Sequence, residues 1–406
     1  MLTIKTLMFF FVEFILLYSL IFYLNLFFEG NEKKKKLLRK PKVSILIPAY
    51  NEEKTIKKCI SSVLNLDYPK EKLEVIVIND GSTDRTREIA ESFDNKIKLI
   101  NQENQGKARA INNGLKISTG EFFACLDADS YVDKNTLKKM LKHFDKDTAA
   151  VTPLMEVHNP KNILQKTQAI EYMISIFIKK CMAKINSIFV TPGPFTVYRK
   201  KIIESIGGFD EKSIVEDQEI AYRLQKHHFK IEQSDDGKVY TEAPINLREF
   251  YRQRNRWARG TIQTIYKYKN LIFNPKYGDF GLFQLPMNLF GLILPFVTLY
   301  FLFKFLFLPI YNSLSTLILT NFSFLFSFPD LIQTFLGINF STIFLNFIYL
   351  GLFIFAGKKA YQVSKEKFKR KEIIPGIFFF LFFYILTGFI TLIAFYHLLT
   401  NKREKW

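Results

Sequence analysis

Phenylalanine divides this chain into two materials. Of its 44 Phe, 33 fall within residues 1–28 and 280–406, and 11 fall in the 251 residues between. Such a chain does not close into a single water-soluble core. Its ends call for an apolar solvent, whereas the middle has the composition of an ordinary globular domain. Intrinsic disorder is excluded on the same grounds. The three Cys (Cys59, Cys125 and Cys181) are widely spaced. They offer neither a disulfide framework nor a Cys-based metal site, which suits a reducing compartment.

The apolar ends read as membrane spans. Leu7 to Phe28 is 22 residues with one charge, Glu13, long enough to cross about 30 Å of hydrocarbon at 1.5 Å per residue. Phe280–Ile310, with Pro286 and Pro295 as kink sites, Ile338–Phe355 and Ile373–Leu399 are three more. Leu314 to Phe328 is apolar but short and dotted with Ser, Thr and Asn, so it reads either as a crossing or as an interfacial piece. The net charge of +19 gathers in three runs, 29–42, 248–269 and 358–372. Two of them abut apolar segments. That pattern suits positive-inside anchoring better than a nucleic-acid groove, so no nucleic-acid partner is expected. The division is therefore a membrane anchor and basic linker over 1–40, a cytoplasmic domain over 41–270, and an interfacial helix with three spans over 271–406.

Within the middle domain, three short apolar runs end abruptly in polar residues. Val43–Ile47 leads into Pro48-Ala49-Tyr50-Asn51-Glu52, Glu74–Ile78 into Asn79-Asp80-Gly81-Ser82, and Glu121–Leu126 into Asp127-Ala128-Asp129. Each suits a strand buried on both faces of a parallel sheet. Helical patterns follow at 53–64, 84–93, 107–117 and 134–143. The alternation predicts a doubly wound α/β sheet, in which ligands bind at the carboxyl ends of the strands. Asp80, Asp127 and Asp129 should meet on that edge.

There is no G-x-G-x-x-G after the first strand and no P-loop, so neither a dinucleotide fold nor a P-loop NTPase is indicated. Asp127-x-Asp129 offers two hard oxygen donors suited to Mg²⁺ or Mn²⁺ on a diphosphate. A turn with an Asx cap explains a lone pair equally well. Basic residues able to hold phosphate tilt the balance: Lys107, Arg109, Arg252, Arg254, Arg256 and Arg259. Asp217 stands at the start of a helical pattern, where a capping role is the plain alternative. Trp257, one of two Trp, sits among four Arg. There it reads either as a binding platform or as part of a membrane-interface belt.

Taken in order, Pro48–Glu52, Asn79–Ser82, Asp127-Ala128-Asp129, Glu216-Asp217 and Gln253-x-x-Arg256-Trp257 resemble the motifs of membrane-integrated family-2 glycosyltransferases. The last resembles the signature of processive synthases of cellulose, chitin, hyaluronan and poly-N-acetylglucosamine. The loop Gly193-Pro194-Phe195 is similar to the acceptor loop of hyaluronan and chitin-oligosaccharide synthases. Val215 stands where cellulose synthases have Thr, which disfavours a cellulose product. The resemblance implies a GT-A-like domain, a UDP-sugar donor and a metal on its diphosphate. It places Tyr50, Glu52, Asp80, Lys107, Asp127, Gln253 and Arg256 at the nucleotide-sugar, and Asp129, with Asp127, at the metal. Asp217 is the implied general base, and Gly193, Pro194, Phe195 and Trp257 are the implied acceptor contacts. The expected activity is inverting, processive extension of a membrane-associated polysaccharide. Single addition to a lipid carrier is the alternative, and a non-catalytic membrane scaffold is a third reading.

Overall fold

The computed structural model describes residues 4–28, 39–319 and 340–400. Most of the basic run 29–42 and of the ambiguous segment 314–328 lies outside them. The middle domain is built on one eight-stranded sheet. Its strands are β1 (Val43–Ala49), β2 (Leu73–Asp80), β3 (Lys98–Gln102), β4 (Phe122–Cys125), β5 (Ser130–Val132), β6 (Thr148–Val157), β7 (Thr196–Arg199) and β8 (Lys230–Thr241). Their order is β3-β2-β1-β4-β7-β6-β8-β5. The first four are parallel; β1, β2 and β4 lie on the three predicted apolar runs, and β3 is a strand the sequence reading did not identify. Beyond them the sheet is mixed, because β7 runs antiparallel to both β4 and β6, and β5 antiparallel to β8. The antiparallel β4–β7 pair has a functional result. β7 starts at the edge where β4 ends, with Thr196 opposite Cys125, so the loop that precedes β7 is delivered beside Asp127.

The helices of the domain are α2 (Ile56–Leu64), α3 (Thr86–Glu91), α4 (Lys107–Ile117), α5 (Thr136–Leu141), α6 (Ile163–Lys184), α7 (Lys200–Ser205), α8 (Glu216–Lys226) and α9 (Leu247–Lys267), after the N-terminal α1 (Ile4–Phe28). One sheet face is covered by Ile56, Ile60 and Val63 of α2 with Leu137, Met140 and Leu141 of α5. The other is covered by Ala110, Ile111 and Leu115 of α4 with Ile220, Ala221 and Leu224 of α8. Burial on both faces is why β1 (VSILIPA) shows no in–out alternation.

Among the described residues, two helices are long and apolar enough to cross a membrane, Phe280–Leu302 and Arg370–Leu399. α1 and Phe340–Ser364 are 25-residue helices at the positions of the other two expected spans. Pro286 lies in the first turn of α10 (Leu285–Leu302) and Pro295 lies inside it. Two domain helices join the sheet to this apolar region. α6 packs Phe177 and Cys181 against Leu24 and Leu26 of α1. Leu164, Ile170 and Met173 of α6 and Phe250 of α9 meet Phe379, Phe383 and Ile390. A salt link adds to this: Lys238 of β8 lies 2.7 Å from Glu156 of β6 and 2.9 Å from Glu366, in the turn before the last apolar helix.

The joint depends on one buried ion pair that the sequence did not single out. Arg254 of α9, read there as a phosphate ligand, donates to both oxygens of Glu171 on α6 at 2.6 and 2.5 Å. Its guanidinium also stacks 4.5 Å from the Trp257 ring centre. Arg254→Met leaves the partly buried Glu171 carboxylate without its partner and is expected to cost about 1–3 kcal/mol. This would be read as a lowered thermal unfolding midpoint, and Arg254→Met with Glu171→Met should recover most of it. Equal midpoints for the single variant and the parent would show the pair to be energetically neutral.

Candidate active site

The carboxyl ends of β1, β2 and β4 open into a cleft of about 210 Å³ lined by Pro48, Ala49, Tyr50, Glu52, Asp80, Lys107, Asp127, Ala128, Asp129 and Arg256. The three strand-end Asp residues therefore do converge, with Arg256 arriving from a helix about 130 residues further along. Tyr50, 47% exposed, stands at the rim. Beside it Asn51 adopts φ +55° and its side-chain oxygen accepts from the Thr83 N–H at 2.8 Å, which clasps the β1 and β2 loops together. Asp80 is buried and occupied: Gln102 Nε2 donates to it at 2.7 Å, and the Gln105 and Gly106 N–H groups at 2.9 Å each. It shapes the loop that leads into α4.

That loop ends at Lys107, the first residue of α4, whose position is the least expected feature of the site. Its ammonium lies 2.6 Å from Asp127 Oδ1 and 2.9 Å from Glu216 Oε1. It joins the β4 carboxylates to those of α8. Burial would lower the Lys107 pKa, but Asp127, Glu216 and Asp217 outweigh it and hold the group well above the usual lysine range. Burial likewise opposes ionisation of Glu216, and Lys107 outweighs it, so Glu216 is held below the usual carboxylate range. Gly193 is required by this packing. A Cβ there would lie 2.6 Å from Lys107 Nζ and 2.8 Å from both Asp127 carboxylate oxygens. The neighbouring Pro194 is buried, and Phe195, at φ +60°, is fully buried in the core with Leu126, Ala128 and Val197. The ring of Phe195 thus anchors the loop instead of facing the cleft.

Asp217 lies in the first turn of α8. It does not cap its helix through the N-cap position, which is Val215. Its backbone carbonyl accepts from Thr191 N–H at 3.1 Å and Thr191 Oγ1 at 2.8 Å, tying α8 to the Gly193 loop. Burial first, and Glu216 alongside it second, push its carboxyl up to about 6, against the pull of Lys107 and Arg256. A carboxylate poised there is suited to accept a proton near neutral pH. Val215, the departure noted in the sequence, packs on α9: a Cβ on Gly260 would come within 2.4 Å of it. That close approach lets α9 present Arg256 to the acidic pair.

The rest of the Arg cluster is divided. Arg109 lies 3.5 Å from Glu211, Arg252 is exposed and Arg259 is buried; of the group, only Arg256 lines the cleft. Gln253 is half-buried with its Oε1 unpaired. Trp257, partly buried, packs beside Val157, Tyr172 and Ala243.

Among the described residues, no three His, Cys, Asp or Glu side chains form a ready ion cage. The donor set nevertheless fits a cation carried in with a ligand. Burial, then Asp127, then Glu52 push Asp129 up to about 7, a concentration of negative charge that a divalent ion would relieve. Asp129 and Asp127 would hold Mg²⁺ or Mn²⁺ by carboxylate oxygens, with diphosphate oxygens and water completing its shell.

An α/β sheet with this edge chemistry is the architecture of a nucleotide-sugar transferase. Residues 44–207 match the model of glycosyl transferase family 2. The chain is 35% identical over 224 residues to a poly-beta-1,6-N-acetyl-D-glucosamine synthase of Staphylococcus epidermidis, covering 54% of each protein. It is 33% identical over 248 residues to the protein of that name from Staphylococcus aureus, covering 58% of this chain and 60% of the other. The chain thus spans a little over half the length of the curated relatives it matches. In overall fold it is similar to a mannosyltransferase from Pyrobaculum calidifontis solved in complex with GDP-Man and Mn²⁺. The TM-score is 0.64 at 18% identity, over 97% of both chains.

Proposed function

We propose that the protein is an inverting, processive glycosyltransferase that extends a membrane-associated polysaccharide from a UDP-sugar. In this reading the spans lie in the cell membrane and the catalytic domain on its cytoplasmic side. One observation carries the reading: Lys107 and Arg256 line one cleft with Asp127 and Asp129, and the Lys107 ammonium lies 2.9 Å from Glu216, the neighbour of Asp217 on α8. That arrangement sets a site for a diphosphate against a proton acceptor. Similarity to poly-N-acetylglucosamine synthases makes UDP-N-acetylglucosamine the first donor to try.

Asp217 takes the proton of the acceptor hydroxyl as that oxygen attacks the anomeric carbon. The nucleotide diphosphate leaves from the opposite face, so the configuration inverts. The planar fork of Arg256 meets the negative charge that develops on the leaving group. When bound at Asp129 and Asp127, a divalent ion would neutralise diphosphate charge. Tyr50 and the loop held by Asp80 border the end of the cleft assigned to the nucleotide base.

The test is a screen of radiolabelled UDP-sugars, with GDP-mannose as competitor, in membranes carrying the protein, with products sized on a gel. Long polymer from a UDP-sugar supports the proposal. A single added sugar on a lipid extract rejects processivity, and no transfer from any donor rejects the function. Full activity in excess EDTA would remove the metal. Trp257→Ala sharpens the assignment. Donor KM should stay within about twofold while products shift from long chains to free sugar or very short oligomers. The same product length as the parent rejects an acceptor role for Trp257.

A further inference from the structure

A general base works best when a third group holds it in line with the proton it takes. In the first turn of α8 the Gln218 N–H has no carbonyl partner within the helix. It donates instead to Asp217 Oδ1 at 2.8 Å. That oxygen is engaged, which leaves Oδ2 for the proton. The orientation of the Asp217 carboxylate therefore follows the position of Gln218.

Gln218 is fixed from behind the cleft. Its side chain is 4% exposed, and its Oε1 accepts from Thr261 Oγ1 of α9 at 2.8 Å. Its amide also donates to the hydroxyl of Tyr222, one turn along α8. Tyr222 is fully buried and accepts from Asn288 Nδ2 of α10 at 2.9 Å. Asn288 Oδ1 in turn accepts from Gln284 Nε2 at 2.8 Å. Gln284 closes the π-helical turn Phe280–Gln284, at the head of the apolar helix Phe280–Leu302. None of these side chains lines the cleft. Tyr222 itself packs among Ile265, Phe280 and Leu285. Apolar side chains of the same shape would fill that seam about as well, so the hydrogen bonds answer a need other than burial. Thr261 and Arg256 stand on one helix, and between them Gly260 closes on Val215. α9 thus carries both the guanidinium of the cleft and the hydroxyl that pins the residue behind the base.

We propose that Gln218 is the positioning residue of the base, and that its bonds to Thr261 and, through Tyr222, to Asn288 hold it so that Asp217 Oδ2 faces the acceptor hydroxyl. The proposal rests on the reading of Asp217 as base.

The test uses the full chain in detergent with the donor found active in the screen. Thr261→Val keeps the shape of the side chain and removes its hydroxyl, and Tyr222→Phe removes a single oxygen. Each should lower kcat about fivefold to thirtyfold and leave donor KM within about twofold. Thr261→Ser, which keeps the hydroxyl, should retain most of the parent rate. In the Asp217→Asn background neither substitution should lower the residual rate further, since residues that act through one group are not additive. An unchanged kcat in both single variants overturns the positioning role. So does an equal loss in the Asp217→Asn background, or a donor KM that rises as kcat falls, because either marks a merely structural bond. A severe loss in Asp217→Asn beside a normal Thr261→Val and Tyr222→Phe keeps the base and removes Gln218 alone. Asp217→Asn at the parent rate removes the base, and the proposal with it. If the unmodified protein turns over no donor, the transferase reading fails before any variant is made, and the positioning role falls with it.

Discussion

Asp217→Asn is expected to lower sugar transfer by roughly 10²–10⁴-fold while donor binding stays within about twofold. The amide keeps the shape of the side chain and the Thr191 bonds to the backbone carbonyl, but it cannot take a proton. The pH profile gives the independent check. Because burial and Glu216 hold the Asp217 carboxyl at about 6, the base is protonated below that pH. The rate should therefore fall about tenfold per pH unit below 6 and level off above it. The residual activity of Asp217→Asn should lack that limb. Turnover of the variant above about a third of the normal rate would assign the base elsewhere.

Lys107→Met is expected to be as severe for a different reason. The ammonium is the one contact shared by Asp127 and Glu216. Without it, a buried Glu216, Asp217 and the Asp127 edge are left as like charges with Arg256 as their remaining named counter-charge. Removing one partner of a buried ion pair costs about 3–5 kcal/mol, and part of that cost should appear as protonation of the pair at neutral pH. Activity should fall about 10²- to 10⁴-fold, that being the same energy expressed as a rate ratio, with a lowered thermal midpoint. Lys107→Arg should keep the charge but not the geometry, since a Cβ-sized probe at Gly193 already touches the ammonium. A Lys107→Met protein with normal stability and rate would show that Asp127 and Glu216 are balanced by other charges.

The parallel half of the sheet was legible because strands buried on both faces are written as unbroken apolar runs, and β1, β2 and β4 appear where those runs lie. β6 and β8 were not, because they mix charged and polar residues with short apolar stretches: β8 reads KIEQSDDGKVYT. Its buried Glu232 and Gln233 take partners that only the fold supplies, such as Thr152 Oγ1 donating to Gln233 Oε1 at 2.6 Å. The same limit applies to the site. Motifs located Asp127, Asp129, Asp217 and Arg256, since the chemistry of each stands in its own short stretch. The bridge made by Lys107 and the Arg254–Glu171 pair joins residues 20 to about 110 positions apart, and no local pattern records such a pairing. The Arg cluster illustrates this. Arg254 and Arg256 are two residues apart, yet a helix turns them about 160° from each other. One meets α6 and the other the cleft.

α9 is therefore a shaft whose two sides face different neighbours. Phe250 and Arg254 lie against Phe383 of the last apolar helix, and Arg256, half a turn on, lines the catalytic cleft. The shaft has no joint along its length: Leu247–Lys267 is continuous helix, clamped by Glu171 on one side and by Val215 on the other. A tilt of the apolar helix Arg370–Leu399 would then be passed to the Arg256 guanidinium in the cleft. On the proposed membrane reading, bilayer thickness and the choice of amphiphile would act as settings of the cleft's geometry, and detergent would become a kinetic variable in its own right.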